Sequence, residues 1–461
     1  MQTEWAEREM MGAALGDRRS KRCLVQLCAQ LAAQPQASFS AACGPAGRQA
    51  ARRLFRRPDS NVHALLQGHV AQTAHRAAAY PCVLVAQDTT SFDFSHHPAT
   101  AGLGPIDQRR TGHGLFGHAA LALTPAGVPL GLLHVDLWCR DPAAHGQTHT
   151  RRHRVTATKE SAKWSTALAA VEAAVPASPA GPMLLLLQDR EGDVFDFLAA
   201  PRRPDTHLLI RAAQARKVRL PTEATPGGTL FERAAAGPIV GERCVAVPHG
   251  MGDERAARLV IRAQRLEIQR PRHALAAAAR APQWVWVVQA CEETPPVGVA
   301  PLLWVLVSTL PVSGAADACQ LVEYYALRWR IERLHYTLKS GLRAEDLQHH
   351  EAAMLQKAVA LYYVVAWRLL ALTYAARAEP ALPAAAFLAA DEVAVLTQLT
   401  GEPVPTVQAA VRAIGRLAGW QGYRGVPDPG VKMLWLGLRR LLDMTAGWRL
   451  ARGEPPDPIQ A

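Results

Sequence analysis

The pattern of hydrophobic and polar positions changes along the chain and divides it into three regions. Residues 1–75 are predicted to be helical, with one helix starting at Asp17 and another stopped by Pro58. The middle opens with short apolar runs typical of buried strands, "YPCVLVA" and "MLLLLQ". A hairpin about "PAGVP" and a helix over residues 161–175 lie between these two runs. Further strand-like runs follow, and the last region is predicted to be helical again.

Two of the apolar runs are predicted to end in an aspartate. Asp88 follows the first run, and Asp189 follows "LLLLQ". Open α/β sheets bind their ligands at the carboxyl ends of their strands, so both side chains are candidates for a functional site. A single aspartate at a strand end is more often a cap or a turn residue. The two aspartates therefore indicate a functional site only if further residues of the same chemistry lie near them.

A helix predicted over residues 324–341, "YYALRWRIERLHYTLKSG", carries polar residues on one side. Tyr325, Arg328, Glu332 and Lys339 stand at offsets of 0, 3, 7 and 14. At the helical rotation of about 100° per residue, these offsets fall within an arc of roughly 60°. An arginine and a glutamate four positions apart are also common on a solvated helix. The stripe by itself is therefore compatible with either interpretation.

The glutamate of this helix would add a third carboxylate to the two strand ends. Hard divalent cations take oxygen ligands, and two such ions can clamp the attacking and leaving oxygens of a phosphodiester displacement. Asp88, Asp189 and Glu332 are therefore candidate catalytic residues and candidate ligands of two Mg²⁺ ions, for which Mn²⁺ could substitute. Arg328 and Lys339 would neutralise the phosphates that enter such a site.

The charge of the chain points to a polyanionic partner. Lysine and arginine number 51 against 39 acidic residues, which gives a net charge of +12. Residues 10–75 hold nine of the basic residues and only two acids. The segment "RRLFRR" (52–57) could be a solvated face, but four arginines in six residues of a basic region favour contact with phosphates.

Several features argue against a secreted or membrane protein. The amino terminus lacks the apolar run of a signal peptide. The eight cysteines are scattered without a C-x-x-C pair, which is typical of reduced thiols and not of disulfides or a zinc site. Residues 358–376 are apolar and 19 residues long, but Arg368 lies near their middle, so a buried helix is predicted. We expect a cytoplasmic protein without a membrane partner.

One histidine-rich segment has two interpretations. His145, His149 and His153 recur every four residues in "HGQTHTRRHR" and could imitate a metal-binding face. The segment contains no acid and no cysteine, so a basic loop that contacts DNA is preferred.

Two further segments share one family signature with the charged helix. Residues 325–339 match a Tyr-x2-Arg-x3-Glu-x6-Lys motif, and "QDTTSF" and "QDREGDVFDFL" match segments that bear two catalytic aspartates. Through these motifs the chain resembles the cut-and-paste DDE transposases of bacterial insertion sequences, in the subgroup of the transposon-five transposase. "ALGDRR" near the amino terminus and "LWLGLRRLLD" near the carboxyl terminus extend the resemblance over essentially the whole chain.

The resemblance implies an α/β fold with three domains. A helical DNA-binding domain is expected over residues 1–75 and an RNase H-like catalytic domain over residues 76–376. The catalytic domain would contain a β-rich insertion at about 213–312. A helical dimerisation domain is expected over residues 377–461.

The resemblance also implies a function, that of a DNA transposase. Such an enzyme cuts one strand at the transposon end, forms and reopens a DNA hairpin, and joins the 3′ ends to target DNA. Its partners would be double-stranded DNA and a second copy of the chain, in a bacterial cytoplasm at the nucleoid. The alternative is a non-catalytic DNA-binding regulator of transposition, and a host-domesticated RNase H-like nuclease also remains open.

Individual residues take expected roles from the family motifs. Contacts to DNA phosphates are expected from Tyr325, Arg328, Lys339 and Arg211. Stacking on an extruded base is expected from Trp304 and Trp329. Contacts to the transposon end are expected from Arg18, Arg19, Arg22, Arg53, Arg56 and Arg57.

Other positions depart from the family pattern or leave an alternative open. Cys23 and Tyr336 stand where the family has an arginine and a lysine, and "AAQARK" after Arg211 suggests that basic contacts have moved to Arg216 and Lys217.

The last helix presents an apolar stripe that could be plain core. For this stripe we expect a dimer contact, made by Leu434, Leu438 and Leu441.

Overall fold

A computed structural model describes residues 4–34, 37–107, 111–144, 160–249, 253–271, 281–423 and 427–453. The chain separates into two compact units. Unit 1 consists of Met1–Ala79, Thr89–Gly146 and Arg330–Ala461, and unit 2 of Tyr80–Asp88 and Gln147–Trp329. The boundaries of the three expected domains remain predictions.

The helices of the described residues vary from one turn to more than seven turns. They are α1 (Glu4–Met10), α2 (Arg18–Ala33), α3 (Phe39–Phe55), α4 (Val62–Ala77), α5 (Ala162–Ala174), α6 (Phe195–Leu198), α7 (Leu230–Ala236), α8 (Ala315–Ala326), α9 (Trp329–Tyr336), α10 (Ala352–Ala378), α11 (Ala390–Thr400), α12 (Val407–Leu417) and α13 (Val431–Ala451).

The strands lie between the two helical ends of the chain. They are β1 (Cys82–Asp93), β2 (Gly104–Pro105), β3 (His113–Leu123), β4 (Pro129–Trp138), β5 (Met183–Gln188), β6 (Thr206–Arg211), β7 (Val218–Arg219), β8 (Ile239–His249), β9 (Asp253–Ile268), β10 (Gln283–Cys291) and β11 (Leu303–Ser308).

The N-terminal region is helical, as predicted, and its helix starts follow from side-chain caps. Asp17 accepts the backbone N–H of Ser20 at 2.8 Å and opens α2. The third helix bends at Gly44, whose φ of 61° lies in the left-handed region that glycine tolerates. It ends at Phe55, shortly before Pro58, which cannot continue a helix.

Unit 2 is organised around one mixed sheet. Its strands follow the order β1, β5, β6, β11, β10, β9 and β7, with β8 paired to β9. The first three are parallel, and the strands from β11 onward are antiparallel. Parallel strands are buried on both faces, which explains the uninterrupted apolar sequence of β5. The predicted β-rich segment therefore extends the sheet of the parallel strands through β11.

One predicted strand end is wrong. The first apolar run was expected to end at Asp88, but β1 continues to Asp93. Its continuous buried run does end at Gln87, after which residues 88–91 are partly exposed and Phe92 is buried again. The β-branched Thr89 and Thr90 favour an extended backbone, so the strand continues beyond the point where the apolar pattern stops. From Thr89 onward β1 belongs to unit 1, where it pairs with β3.

Unit 1 contains the predicted hairpin, formed by β3 and β4. The backbone N–H of Thr124 bonds to the carbonyl of Val128 at 2.9 Å and closes the connecting turn. Gly127 takes a φ of 81° in this turn, a conformation that glycine adopts without strain. The hairpin packs against α4 and α10, so the N-terminal helices and the carboxyl-terminal part of the chain share its core.

A buried polar network joins α1 and α4 to the hairpin. Glu9 receives hydrogen bonds from His69 Nδ1 at 2.6 Å and from Arg76 Nη1 at 2.6 Å. His69 Nε2 accepts the backbone N–H of Leu132 at 3.0 Å, so its only ring proton is on Nδ1 and the ring is neutral. Arg76 therefore supplies the positive charge that balances Glu9. Trp367 of α10 covers both partners, with ring centroids 4.7 Å from His69.

The long apolar helix α10 is part of the core of unit 1. It is the helix of the described residues that is long and apolar enough to cross a membrane, and 94% of its most apolar window is buried inside the protein. Trp367 Nε1 donates to the carbonyl of Pro129 at 3.1 Å. Arg368 places a guanidinium over the ring of Trp5 and donates to the carbonyl of Phe387. Packing on all sides explains the composition of this helix, as predicted.

The apolar stripe predicted as a dimer contact is core. Leu434, Leu438 and Leu441 are 0%, 8% and 0% exposed within unit 1. An apolar stripe at helical spacing predicts that one face of the helix is buried, but it does not predict what buries that face. The sequence therefore could not distinguish core packing within one chain from a contact between two copies. The exposed apolar side chains of α13 are Leu436, Met444 and Leu450.

The network around Glu9 gives a pH-dependent prediction. Burial raises the pKa of Glu9, but hydrogen bonds from His69 and Arg76 together with the charge of Arg76 outweigh it and lower the pKa from 4.5 to about 2. Between these values the unfolded chain binds a proton that the folded protein does not, so the contribution of Glu9 is complete above pH 4.5 and is lost as pH falls towards 2. Glu9→Gln should reduce the free energy of unfolding by about 3 kcal/mol at pH 7.

Chemical denaturation at several pH values would measure this effect. The difference between wild type and Glu9→Gln should shrink steadily below pH 4.5. Glu7→Gln, an exposed position on the same helix, is the matched control and should change stability little. A difference that stays constant down to pH 2 would show that Glu9 is not ionised in the folded protein.

Candidate active site

Parallel pairing places the two predicted aspartates side by side. Ala86 of β1 pairs with Leu187 of β5. One residue further, the buried side chain of Gln188 donates from Nε2 to Gln87 Oε1 at 3.2 Å. The next residues in the two strands are Asp88 and Asp189. The structure thus brings these two carboxylates together at the carboxyl edge of the sheet, where the sequence predicted them.

The third parallel strand adds a cation to the same edge. Gln188 of β5 pairs with Ile210 of β6, so Arg211 at the end of β6 neighbours Asp189. Burial lowers the pKa of the Arg211 guanidinium, while Tyr325 and Asp189 oppose that shift. The side chain is held in place by a hydrogen bond from Nη2 to the carbonyl of Leu303 at 3.2 Å.

A second arginine lies beside the first aspartate. Arg328 Nη1 is 3.9 Å from Asp88 Oδ2, and the two side chains are 7% and 18% exposed. The Cζ atom of Arg328 is 6.0 Å from the ring centre of Tyr325 and 5.8 Å from that of Trp329. An ion pair of low exposure with two aromatic neighbours holds this guanidinium close to the carboxyl edge.

Two of the predicted aromatic residues contact each other in unit 2. Trp304 on β11 packs edge to face on Tyr325, with ring centroids 5.6 Å apart. Tyr325 is 2% exposed, and burial raises the pKa of its phenol against the opposing influence of Arg328 and Arg211. The phenol is therefore a neutral hydrogen-bond donor at neutral pH. Trp304 is partly exposed, and Trp329 is 53% exposed.

A carboxylate that sequence analysis did not single out fixes the loop after Asp189. Asp193 Oδ2 accepts the backbone N–H groups of Ala213 and Gln214 at 2.7 and 2.8 Å. Its Oδ1 pairs with Arg216 Nη2 at 2.6 Å, and both side chains are at most 10% exposed. Arg216 is thus held in an ion pair of low exposure with Asp193, and its contact with DNA stays a prediction. The second aspartate of "QDREGD" was the available signal.

The helix predicted over residues 324–341 is interrupted twice. The first piece, α8, ends at Ala326, and Arg328 donates its backbone N–H to Tyr325, three residues back. The second piece, α9, ends at Tyr336, and a wider π turn follows from Thr337 to Gly341. A change in hydrogen-bond step changes the rotation per residue, so the predicted 60° arc does not hold over the whole segment.

Packing explains the second interruption. A Cβ atom on Gly341 would lie 2.4 Å from the ring of Trp435, so only glycine permits this approach of the π turn. No local signal in "YTLKSG" announces a neighbour that lies almost one hundred residues away in sequence. The segment is helical, as predicted, but the prediction of one uninterrupted helix was wrong.

Glu332 and Lys339 belong to unit 1. Glu332 lies in the first turn of α9. Lys339 Nζ is 3.8 Å from Glu345 Oε1, and the same oxygen accepts the backbone N–H of Asp93 at 2.9 Å. Lys339 also lies 5.7 Å from the ring centre of Phe92. Glu345 was not identified from the sequence, since nothing in its local pattern distinguishes it from other surface acids.

The described part of the chain contains no group of three or more histidine, cysteine, aspartate or glutamate side chains placed to hold a metal ion. The pair of aspartates is brought together within unit 2, and the three-carboxylate set remains a prediction. The segment of His145, His149 and His153 lies outside the described residues.

The N-terminal arginines fall into two classes. Arg57 bonds to Asp59 at 2.9 Å and to Asp17 at 2.9 Å, so this guanidinium already has two carboxylate partners. The remaining candidates are exposed on α2 and at the carboxyl end of α3. They are Arg18, Arg19, Arg22, Arg53 and Arg56.

Comparison with known protein families identifies both ends of the chain. The family model described as Transposase DNA-binding matches residues 2–60. The model described as Transposase Tn5 dimerisation domain matches residues 364–455. The first match covers α1 to α3, and the second runs from α10 through α13. Both ends of the chain thus match models of transposase domains, and the two matches together support a Tn5-like transposase family.

Proposed function

We propose that this transposase binds transposon ends, excises the element by strand cleavage through a DNA hairpin, and joins the 3′ ends to target DNA. The observation that carries the proposal is the adjacent placement of Asp88 and Asp189 at the carboxyl edge of parallel strands. Arg211 and Arg328 flank the two carboxylates, as a site for phosphodiester chemistry requires.

The donor chemistry of this edge fits a hard divalent cation. Asp88 and Asp189 supply only oxygen atoms, and Mg²⁺ prefers oxygen ligands. In the proposal these two residues and Glu332, which the family motif supplies, hold two Mg²⁺ ions, with Mn²⁺ as a substitute. When bound, the ions would supply Lewis-acid activation of water and of the 3′-OH and would neutralise charge on the phosphate.

The remaining polar residues of unit 2 bind and orient the DNA backbone. Arg328 and Arg211 carry fixed charges and planar donor groups that suit phosphate oxygens. The buried phenol of Tyr325 donates one neutral hydrogen bond without adding charge. Asp193 keeps the loop that carries Asp189 attached to the loop after β6. Lys339 is proposed as a further phosphate contact from the family motif.

The amino-terminal arginines are proposed to contact the transposon end. Their exposure on two helices and the match of residues 2–60 to a DNA-binding model support this role. Contacts of arginine with phosphates position the protein, and sequence is read by contacts with base edges. Arg57 is proposed to hold the two helices in place through Asp17 and Asp59 instead of contacting DNA.

The first prediction tests the catalytic carboxylates. Asp88→Asn should reduce nicking of the inverted repeats that flank the gene to background in the presence of Mg²⁺. Binding of those ends should persist, because the substitution removes a negative charge from a surface that receives phosphate. Denaturing gels measure nicking, and gel shifts measure binding.

Asp205→Asn is the matched control in the same unit. Asp205 pairs with Arg203 at 3.0 Å, and this variant should nick at the wild-type rate. Normal nicking by Asp88→Asn would contradict the assignment. If wild type binds the ends but never nicks them, the chain is instead a DNA-binding regulator.

The second prediction concerns the hairpin step and Trp304. A sharply bent hairpin is easier to form when one base leaves the stack and rests on an aromatic ring, which is worth about 1–3 kcal/mol. Trp304→Ala should therefore slow hairpin formation about tenfold, which corresponds to about 1.4 kcal/mol, with much less effect on first-strand nicking.

Trp304→Phe keeps a ring at this position and should retain most of the hairpin rate. One time course on a denaturing gel resolves nicked and hairpin products and gives both rates. Equal slowing of both steps by Trp304→Ala would show that the indole only supports Tyr325, which it contacts edge to face.

The third prediction concerns the dimer. The exposed apolar side chains Leu436, Met444 and Leu450 lie within about 120° on α13, on a face not occupied by the buried leucines. We propose that this face forms the contact between two copies. The double variant Leu436→Glu/Met444→Glu should bind single ends but lose the paired-end complex on native gels.

Ile239→Glu is the control, because Ile239 is 60% exposed on β8 and lies outside the matched dimerisation segment. This control should pair ends normally. Paired-end complexes that survive the double substitution would place the interface elsewhere.

A further inference from the structure

A cluster of two arginines and a tryptophan lies on one face of the antiparallel strands of unit 2. Arg219 of β7 pairs with Glu267 of β9, which in turn pairs with Trp284 of β10. Arg265 stands two residues before Glu267 on β9. Directly paired residues and residues two apart project from the same face of a sheet. Arg219, Arg265 and Trp284 therefore share a face and are called the Trp284 cluster.

Both guanidinium groups of the Trp284 cluster lie over its indole ring. The Cζ atoms of Arg265 and Arg219 are 5.1 and 5.4 Å from the ring centre. Trp284 is 37% exposed, and Arg265 is also exposed. Further along β9 the same face is closed, since Leu259 and Ile261 are buried. The face thus opens to solvent where the cations and the indole stand.

The two arginines of the cluster differ in their ion pairs. Arg219 Nε is 2.7 Å from Glu267 Oε2, so its charge is largely balanced. Within the described ranges, Arg265 has no carboxylate partner, and its guanidinium lies over the ring of Trp284. On the opposite face of the same strand, Arg258 pairs with Glu242 and Arg262 with Glu293.

A stacked arginine is prepared to bind a phosphate. The face of the guanidinium rests on the indole, while the N–H groups along its edge remain able to donate hydrogen bonds in the fork that matches phosphate oxygens. A free arginine loses side-chain entropy when it binds, and the stacked one has already lost part of it. An exposed, ordered and unbalanced cation suits a polyanion better than it suits a neutral partner.

We propose that the Trp284 cluster is a second DNA contact, separate from the carboxyl edge of the sheet, at which Arg265 binds a backbone phosphate and Trp284 holds its guanidinium. Phosphate contacts carry no base information, so this contact acts on duplex DNA of any sequence. The identity of the ligand rests on the proposed function, but its test is a binding measurement that requires no cleavage.

The test is a salt titration of full-length protein with a fluorescent duplex of arbitrary sequence. Each phosphate contact that is neutralised contributes about −0.9 to the slope of log Kobs against log salt concentration. Arg265→Ala should weaken binding severalfold and make the slope less negative by about 0.9. Arg258→Ala, on the same strand but the opposite face, should leave the slope unchanged because Arg258 is already paired with Glu242.

Two further variants separate the charge from its support. Arg265→Lys should keep the slope and lose part of the affinity, because the charge stays while the planar stack is removed. Trp284→Ala should behave similarly, and Trp284→Phe should remain close to wild type. These variants test the phosphate contact even if Arg265→Ala folds poorly.

Three results would overturn the proposal. The first is an Arg265→Ala slope equal to that of wild type. The second is a loss of affinity limited to one DNA sequence, which would indicate base recognition. The third is an equal slope change in Arg258→Ala, which would indicate only the effect of net charge. Failure of Asp88→Asn to stop nicking would affect the proposed chemistry but none of these measurements.

Discussion

The parallel pairing of β1 with β5 is the constraint on which the candidate site depends. It sets Asp88 and Asp189 in adjacent positions, and the pairing of β5 with β6 adds Arg211 beside them. A shift of one residue in either register would turn one of these side chains to the opposite face, because side chains alternate along a strand. The buried hydrogen bond between Gln188 and Gln87 lies immediately before the two aspartates and would be lost if either strand shifted by one residue.

Charge balance follows from that arrangement. Two neighbouring carboxylates would repel each other, and the nearby guanidinium groups of Arg211 and Arg328 offset part of this repulsion. Arg211 donates a hydrogen bond to the carbonyl of Leu303, and Arg328 lies beside Asp88 and two aromatic rings. The guanidinium groups thus lie near the two carboxylates in unit 2, with Arg328 Nη1 3.9 Å from Asp88 Oδ2.

Arginine serves opposite purposes in different parts of this chain. Arg76 and Arg216 are structural, because each is closed onto a carboxylate of low exposure, Glu9 and Asp193 respectively. Among the described residues, Arg265 and the exposed N-terminal arginines have no carboxylate partner and are accessible to a polyanion. The net charge of +12 counts both kinds of arginine equally and therefore does not distinguish them. Only the identity of each neighbour decides whether a given arginine holds the fold or is free to bind.

The sequence by itself determined the features that depend on local pattern. Apolar runs predicted the buried strands, turn residues predicted the hairpin, and the sequence motifs predicted the adjacent aspartates and the resemblance to a transposase family. Features that depend on distant partners were decided by tertiary structure. β1 extended past Asp88, Trp435 shaped the turn at Gly341, and Arg57 closed onto Asp17 and Asp59. Leu434 became core instead of interface for the same reason. Periodicity and residue type record that a side chain is buried or charged, whereas the neighbour that buries or balances it is set by the packing of segments far apart in the chain.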